Sequence, residues 1–156
     1  MFSELILMRR WVSQHGSVFV KVKPGVDPNP FLTTLPDLKV NLKDEDGTQY
    51  TLRNPGLVVQ GLSKLAEKTG QFRFSIASLN PVNKKTNTPD TFERKALEAF
   101  GVGNKKEAFT IEQTENGSFY RYMAPLIFEE KCNRCHASQK HNVGDTLGGI
   151  SISISM

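Results

Sequence analysis

Cysteine is almost absent from this chain: 156 residues hold two. Two thiols cannot build a disulfide framework, and with no second C-x-x-C pair they cannot build a four-thiolate metal cage. Long hydrophobic runs are missing as well. No stretch approaches the roughly 18 apolar residues that a membrane-spanning helix needs. Leu5-Ile6-Leu7-Met8 is too short for the core of a signal peptide and runs straight into Arg9-Arg10. Charge of one sign is in little excess, a formal +4. The lysines are dispersed, and the short pairs Lys84-Lys85 and Lys105-Lys106 lack the aromatic interleaving or basic stripe of a nucleic-acid face. Neither a Ser/His/Asp set nor a pair of carboxylates stands out, so the reading is not that of an enzyme. There is no internal repeat and no low-complexity segment. What remains is an ordinary globular composition at a length that suits one domain, residues 1–156.

The two cysteines stand together, in Cys132-Asn133-Arg134-Cys135-His136. C-x-x-C-H is the attachment signal for haem c: two thiols three residues apart capture the two vinyl groups of one haem. The histidine after the second thiol is carried to the iron by the same turn and serves as proximal ligand. Other uses of the pair fit less well. A zinc site would draw on Cys132, Cys135, His141 and one more ligand, but no second C-x-x-C or H-x-x-x-H pair accompanies them. A thioredoxin-like pair belongs after the strand that opens a βαβ unit, whereas Glu129-Glu130-Lys131 precedes this one. A disulfide across two residues stores strain for little loop entropy. One covalent haem c is therefore the expected cofactor. Because such attachment takes place outside the cytoplasm, the chain is expected to be a fragment of a longer, membrane-anchored, periplasmic or otherwise extracytoplasmic protein.

Around this motif, residues 3–15 read as an amphipathic helix with Leu5, Met8 and Val12 inward, Leu7 and Trp11 widening the stripe, and Gly16 as its stop. Residues 18–22 suit a short strand. Pro24, Pro28 and Pro30 forbid regular structure in the next stretch. Residues 39–43 and 49–52 flank the turn Asp44-Glu45-Asp46-Gly47. Asn54-Pro55 opens a second helix with Val58, Leu62, Leu65 and Ala66 as its buried stripe and Gly70 as its close. Phe72, Phe74 and Ile76 alternate as a half-buried strand. A polar loop over 80–90 leads to a helix started by Asp90 and Glu93 and faced by Phe92, Ala96, Leu97 and Phe100. The final third is sheet: Phe109 and Ile111 alternate, Asn116-Gly117 signals a hairpin with positive φ at both turn positions, and the return strand covers 119–126. Ile150, Ile152 and Ile154 alternate with serines in the last strand. An antiparallel sheet of about 72–78, 107–114, 118–126 and 147–155 with flanking helices is an α+β fold, and it places C-x-x-C-H between two strands rather than near the start of a small helical cytochrome.

The chain resembles the extracytoplasmic haem c sensor domains of bacterial chemoreceptors and sensor histidine kinases, which have a PAS-like fold. The resemblance runs over nearly the whole length. It rests on Met8-Arg9-Arg10-Trp11 with His15-Gly16, on Asp46-Gly47 through Tyr50 to Asn54-Pro55, on Asn80-Pro81 and Pro89-Asp90, and on Cys132 to His136 followed by Gly144-Asp145 and Gly148-Gly149. It implies a haem packed against the sheet under the first helix, a homodimer whose N-terminal helices can be exchanged, and a distal iron ligand that varies among methionine, water and other side chains. Met8, His15, His141 and Met123 are the candidates this sequence offers. Met8 is the expected sixth ligand and His15 the alternative; about 10 Å of helix separates them, so both cannot serve one iron. The implied function is sensing of redox state or a small gas, relayed to a cytoplasmic output domain. The alternative is a small periplasmic electron-transfer cytochrome c.

Overall fold

The computed structural model describes residues 1–70 and 72–156. They divide into two compact units, one of Met1 with residues 3–58 and one of Phe2 with residues 59–156.

Helix α1 (Phe2–Gln14) accounts for the start of the first unit. Leu5 and Val12 are buried and Met8 is half-buried between them. Leu7 and Trp11, expected to widen that stripe, are 63% and 55% exposed. They stand one residue before Met8 and Val12, about 100° round the helix, so the buried face is a narrow seam rather than a broad one. Gly16 at φ +74 ends the helix as expected. Strands β1 (Val18–Lys21), β2 (Asn41–Lys43) and β3 (Gln49–Arg53) form an antiparallel sheet in the order β1-β3-β2. The proline-rich stretch before β2 holds one isolated bridge, Lys23 to Val26, and a short 3-10 turn, Leu32–Thr34, which sinks Leu32 into the core. Asp44 closes the β2–β3 turn by accepting from the Thr48 amide at 2.8 Å and the Tyr50 hydroxyl at 3.1 Å.

Helix α2 (Pro55–Glu67) opens as expected, with the Asn54 side chain accepting from the Leu57 amide at 2.9 Å. Its buried residues, however, are Val59, Ser63 and Ala66, while Leu65 is 60% exposed. The serine explains the rotation. Its Oγ accepts from the Phe74 amide (3.2 Å) and donates to the Phe74 carbonyl (2.5 Å), taking up backbone groups on the open edge of β4 (Phe72–Ala77).

The second unit is built on four strands: β4, β5 (Ala108–Thr114), β6 (Gly117–Ile127) and β7 (Thr146–Ser155). They are antiparallel throughout, in the order β4-β7-β6-β5, so the last strand of the chain lies between β4 and β6. All four expected strands are present within a few residues of their expected limits. The β5–β6 hairpin is also present, but its turn residues are Glu115 and Asn116. Thr114 pairs with Gly117, and only Gly117 takes positive φ, at +116. The expected polar loop contains one helical turn, α3 (Lys84–Asn87), capped by Asn83. Helix α4 (Thr91–Gly101) has the capping box of Asp90 and Glu93. Its Ala96, Leu97 and Phe100 pack with Ala77 and Met123 in one buried cluster. Among the described residues no helix is long and apolar enough to cross a membrane.

Candidate functional site

The connection from β6 to β7 carries the Cys132–His136 motif, and the strands fix its two ends. Phe128, 1% exposed, anchors the exit from β6. Its amide donates to the Asp145 carbonyl at 2.8 Å, and its own carbonyl accepts from the Gly144 amide at 2.9 Å. These two bonds cross the base of the loop and close residues 129–143 into a compact excursion. Within it a 3-10 turn, Glu130–Cys132, runs into α5 (Asn133–His136) and then into a second 3-10 turn, Ala137–Gln139. Lys140, in the left-handed region at φ +53, ends the winding.

This winding brings the expected residues together. Cys132, Cys135 and His136 stand three and four residues apart on one continuous helical stretch, the spacing that places side chains on one face. All three are half-buried, and no disulfide joins the two thiols. The Glu129 amide donates to Cys132 Sγ at 3.3 Å and holds that thiol at the start of the turn.

His136 is oriented by a residue that no sequence motif singles out. Gln139 Nε2 donates to the Asn80 carbonyl at 2.5 Å. A carbonyl only accepts, so the amide nitrogen faces Asn80 and Oε1 faces the other way, where it makes a short contact with His136 Nδ1. An amide oxygen only accepts as well, so Nδ1 carries the proton. Nε2 is then the nitrogen with a lone pair to give to a metal. The carbonyl that starts this relay lies on the β4–α3 loop. That loop is itself pinned by Ser78, whose hydroxyl donates to Leu147 of β7 at 2.8 Å, and by Asn87, whose amide donates to Ile76 at 2.6 Å.

The donor set fits haem c better than the other cofactor considered. Two thiols on one turn match two vinyl groups, and an imidazole with its Nδ1 already committed matches an axial ligand. Among the described residues no three His, Cys, Asp or Glu side chains gather as a metal-ion site, which leaves the zinc alternative without a ligand set.

The candidate distal ligands are scattered. Met123 is fully buried among Ala77, Ala96, Leu97 and Phe100 under α4, where it acts as a core side chain. His141 is half-buried in the motif loop, its ring 5.5 Å from that of Phe128, and its buried Nε2 has no hydrogen-bond partner among the described residues. Met8, half-buried on α1, belongs to the first unit. His15 belongs there too; it is exposed at the end of α1, with its ring 4.6 Å from that of Trp11.

Antiparallel sheet, flanking helices and an N-terminal helix, with the Cys132–His136 loop between two adjacent strands, define an α+β fold of PAS-like type. The chain belongs to the Tll0287-like family, whose model matches residues 4–155. Among solved structures it is similar to that of the cyanobacterial haem protein Tll0287. The TM-score is 0.61 at 16% identity, over 99% of this chain and 90% of that one. No relative is found among curated protein sequences.

Proposed function

We propose that the chain is a sensory domain carrying one covalent haem c, with Cys132 and Cys135 as the thioether donors and His136 as the proximal iron ligand. The observation that carries this reading is the single helical stretch on which two thiols stand beside an imidazole whose Nδ1 is already engaged. Likeness of fold to a cyanobacterial haem protein supports it.

The Cys132 and Cys135 thiols would each add across one vinyl group, a C–S bond forming and the thiol hydrogen going to the neighbouring vinyl carbon, with nothing oxidised or lost. Bound in this way, haem supplies an iron that changes redox state and has an exchangeable sixth position. With haem bound, the thioether of Met8, a soft donor that prefers ferrous iron, would serve as the sixth ligand, with the His15 imidazole as the alternative. Its release on oxidation, or its displacement by a small gas, would be the sensed event. Driving a two-state element from 1:99 to 99:1 takes about 5.5 kcal/mol of differential affinity, within reach of one coordinate bond exchanged for another. The domain belongs outside the cytoplasm, in a membrane-anchored homodimer that passes the change to an output domain of the histidine kinase or chemoreceptor kind.

The test is attachment followed by ligation. Produced with a haem c maturation system, the wild-type chain should keep one haem through acid–acetone extraction, and Cys132→Ser/Cys135→Ser should keep none. Haem that extracts from the wild type, or stoichiometric zinc in its place, would sink the proposal. The reduced spectrum should respond to carbon monoxide, and Met8→Ala or His15→Ala should change the ferrous or ferric spectrum. A protein that cycles between redox states but ignores carbon monoxide is instead a small periplasmic electron carrier.

A further inference from the structure

The relay from Asn80 through Gln139 to His136 joins two loops that are 59 residues apart in the chain at the one imidazole the motif supplies. We infer that Gln139 is the positioning residue of the proximal histidine: its amide oxygen fixes His136 as the Nδ1–H tautomer and so presents Nε2 to the iron. The inference rests on the haem reading for its purpose but on the hydrogen bonds alone for its geometry.

Three features make the arrangement directional. Asn80 contributes a backbone carbonyl, which has no donor form, so the Gln139 amide cannot turn over without setting its oxygen against another acceptor. Asn80 itself is held, since its amide donates to Ser78 Oγ at 3.3 Å and that hydroxyl donates to Leu147 of β7. Gln139 closes the 3-10 turn that directly follows α5, and the left-handed Lys140 then stops the helix, so Gln139 is at the end of a fixed winding. A neutral histidine in water distributes its proton between both nitrogens. Here one acceptor, supported from the sheet, selects between them.

The same bond sets how basic the ligand is. An acceptor on Nδ1–H pushes electron density toward Nε2 and strengthens its hold on the more highly charged iron. Exchange of the amide for a carboxylate should strengthen this effect, and exchange for an aliphatic group should remove it. Glutamate keeps the shape of glutamine while leucine keeps only its bulk, so the pair separates an electronic role from simple space filling.

The experiment has one arm without haem and one with it. In the 156-residue chain produced without haem attachment, long-range 15N–1H spectra of the imidazoles should show His136 as the Nδ1–H tautomer. Gln139→Leu should convert it to a mixture or to the Nε2–H form. In the haem-loaded chain, covalent attachment should survive in both variants because the thiols are untouched. The reduction potential should rise in Gln139→Leu and fall in Gln139→Glu, with the ferrous iron–histidine stretching frequency falling in the first and rising in the second. Retention of the Nδ1–H tautomer in Gln139→Leu overturns the inference, as do potentials that move the same way in both variants. A wild type that carries no covalent haem defeats the haem reading instead, and the tautomer spectra then decide the role of Gln139 by themselves.

Discussion

At the scale of single residues, what matters most is where a side chain has no room to exist. A Cβ on Gly148 would come within 2.5 Å of the Ala77 carbonyl oxygen, and one on Gly149 within 2.5 Å of the Met123 terminal methyl. The first obstacle is backbone of the paired strand β4, which cannot swing aside as a side chain can. Gly148→Ala should therefore cost about 1–3 kcal/mol, the usual range for forcing extra volume into a filled core. Gly61 is the opposite case: it sits inside α2, exposed, and a methyl group there would meet nothing within 4 Å. Gly61→Ala should stabilise the protein by about 0.5–1 kcal/mol by removing glycine's conformational freedom from a helix. Urea denaturation of the two variants checks both signs, and equal shifts in the same direction would contradict the account. The sequence displayed Gly148-Gly149 openly, but only the β4-β7-β6 order reveals that they are needed for close approach rather than for a turn.

At the scale of elements, one ion-pair cluster holds α4 on the sheet. Arg121 of β6, its side chain 5% exposed, lies 2.7 Å from Asp90, 3.2 Å from Glu112 and 3.6 Å from Glu93, and its guanidinium sits 4.8 Å from the centre of the Phe92 ring. Glu93 is itself buried, bonded to the Asp90 amide at 3.1 Å and to the Ser75 hydroxyl. Replacing such a cluster outright with apolar groups is often neutral, but removing one member strands the rest. Arg121→Met should cost about 3–5 kcal/mol because Glu93 keeps its charge in a buried site without its cation. Adding Glu93→Gln to Arg121→Met should recover part of that loss, as measured by the same urea denaturation. A double variant no more stable than the single one would show that the arginine acts through packing alone. This cluster also marks the limit of what could be read from the sequence. The capping pair Asp90 and Glu93 was legible, because it depends on three-residue spacing. That Glu93 would be buried was not, since its cation, Arg121, lies far along the chain on a strand. The same holds for α2: periodicity chose Leu65, whereas the edge of β4 selected the face with Ser63. At the candidate site, C-x-x-C-H pointed to three residues at once, and one turn of helix does bring those three together. Gln139 stayed hidden because its meaning lies in Asn80, across the fold.

At the scale of the whole molecule, the strand made last is the one on which the second unit depends. β7 is hydrogen-bonded to both β4 and β6, and among the described residues β4 has no other strand partner in the sheet. Phe72 pairs with Ile154 and Ala77 with Gly149, contacts between residues far apart in the chain. Such pairings are slow to form, because the loop entropy is lost before the contacts are gained. Until β7 docks, the described strands of this unit amount to the β5–β6 hairpin, and an isolated hairpin is marginal in water. The site shares this dependence. The two backbone bonds that close the motif loop tie Phe128 at the end of β6 to the residues that lead into β7, and Asn80 is steadied by Ser78 bonded to Leu147 of β7. A chain ending at Asp145 retains every residue of the motif and of the relay, so it isolates the contribution of the strand. Hydrogen exchange should find the β4 amides unprotected in this truncated chain, and the unfolding transition of the second unit should lose its cooperativity. His136 in the truncated, haem-free chain should show a mixture of tautomers, although Gln139 and Asn80 are both present. Protection of β4 that persists without β7, or a retained Nδ1–H tautomer, would show that the loops hold the imidazole without the sheet.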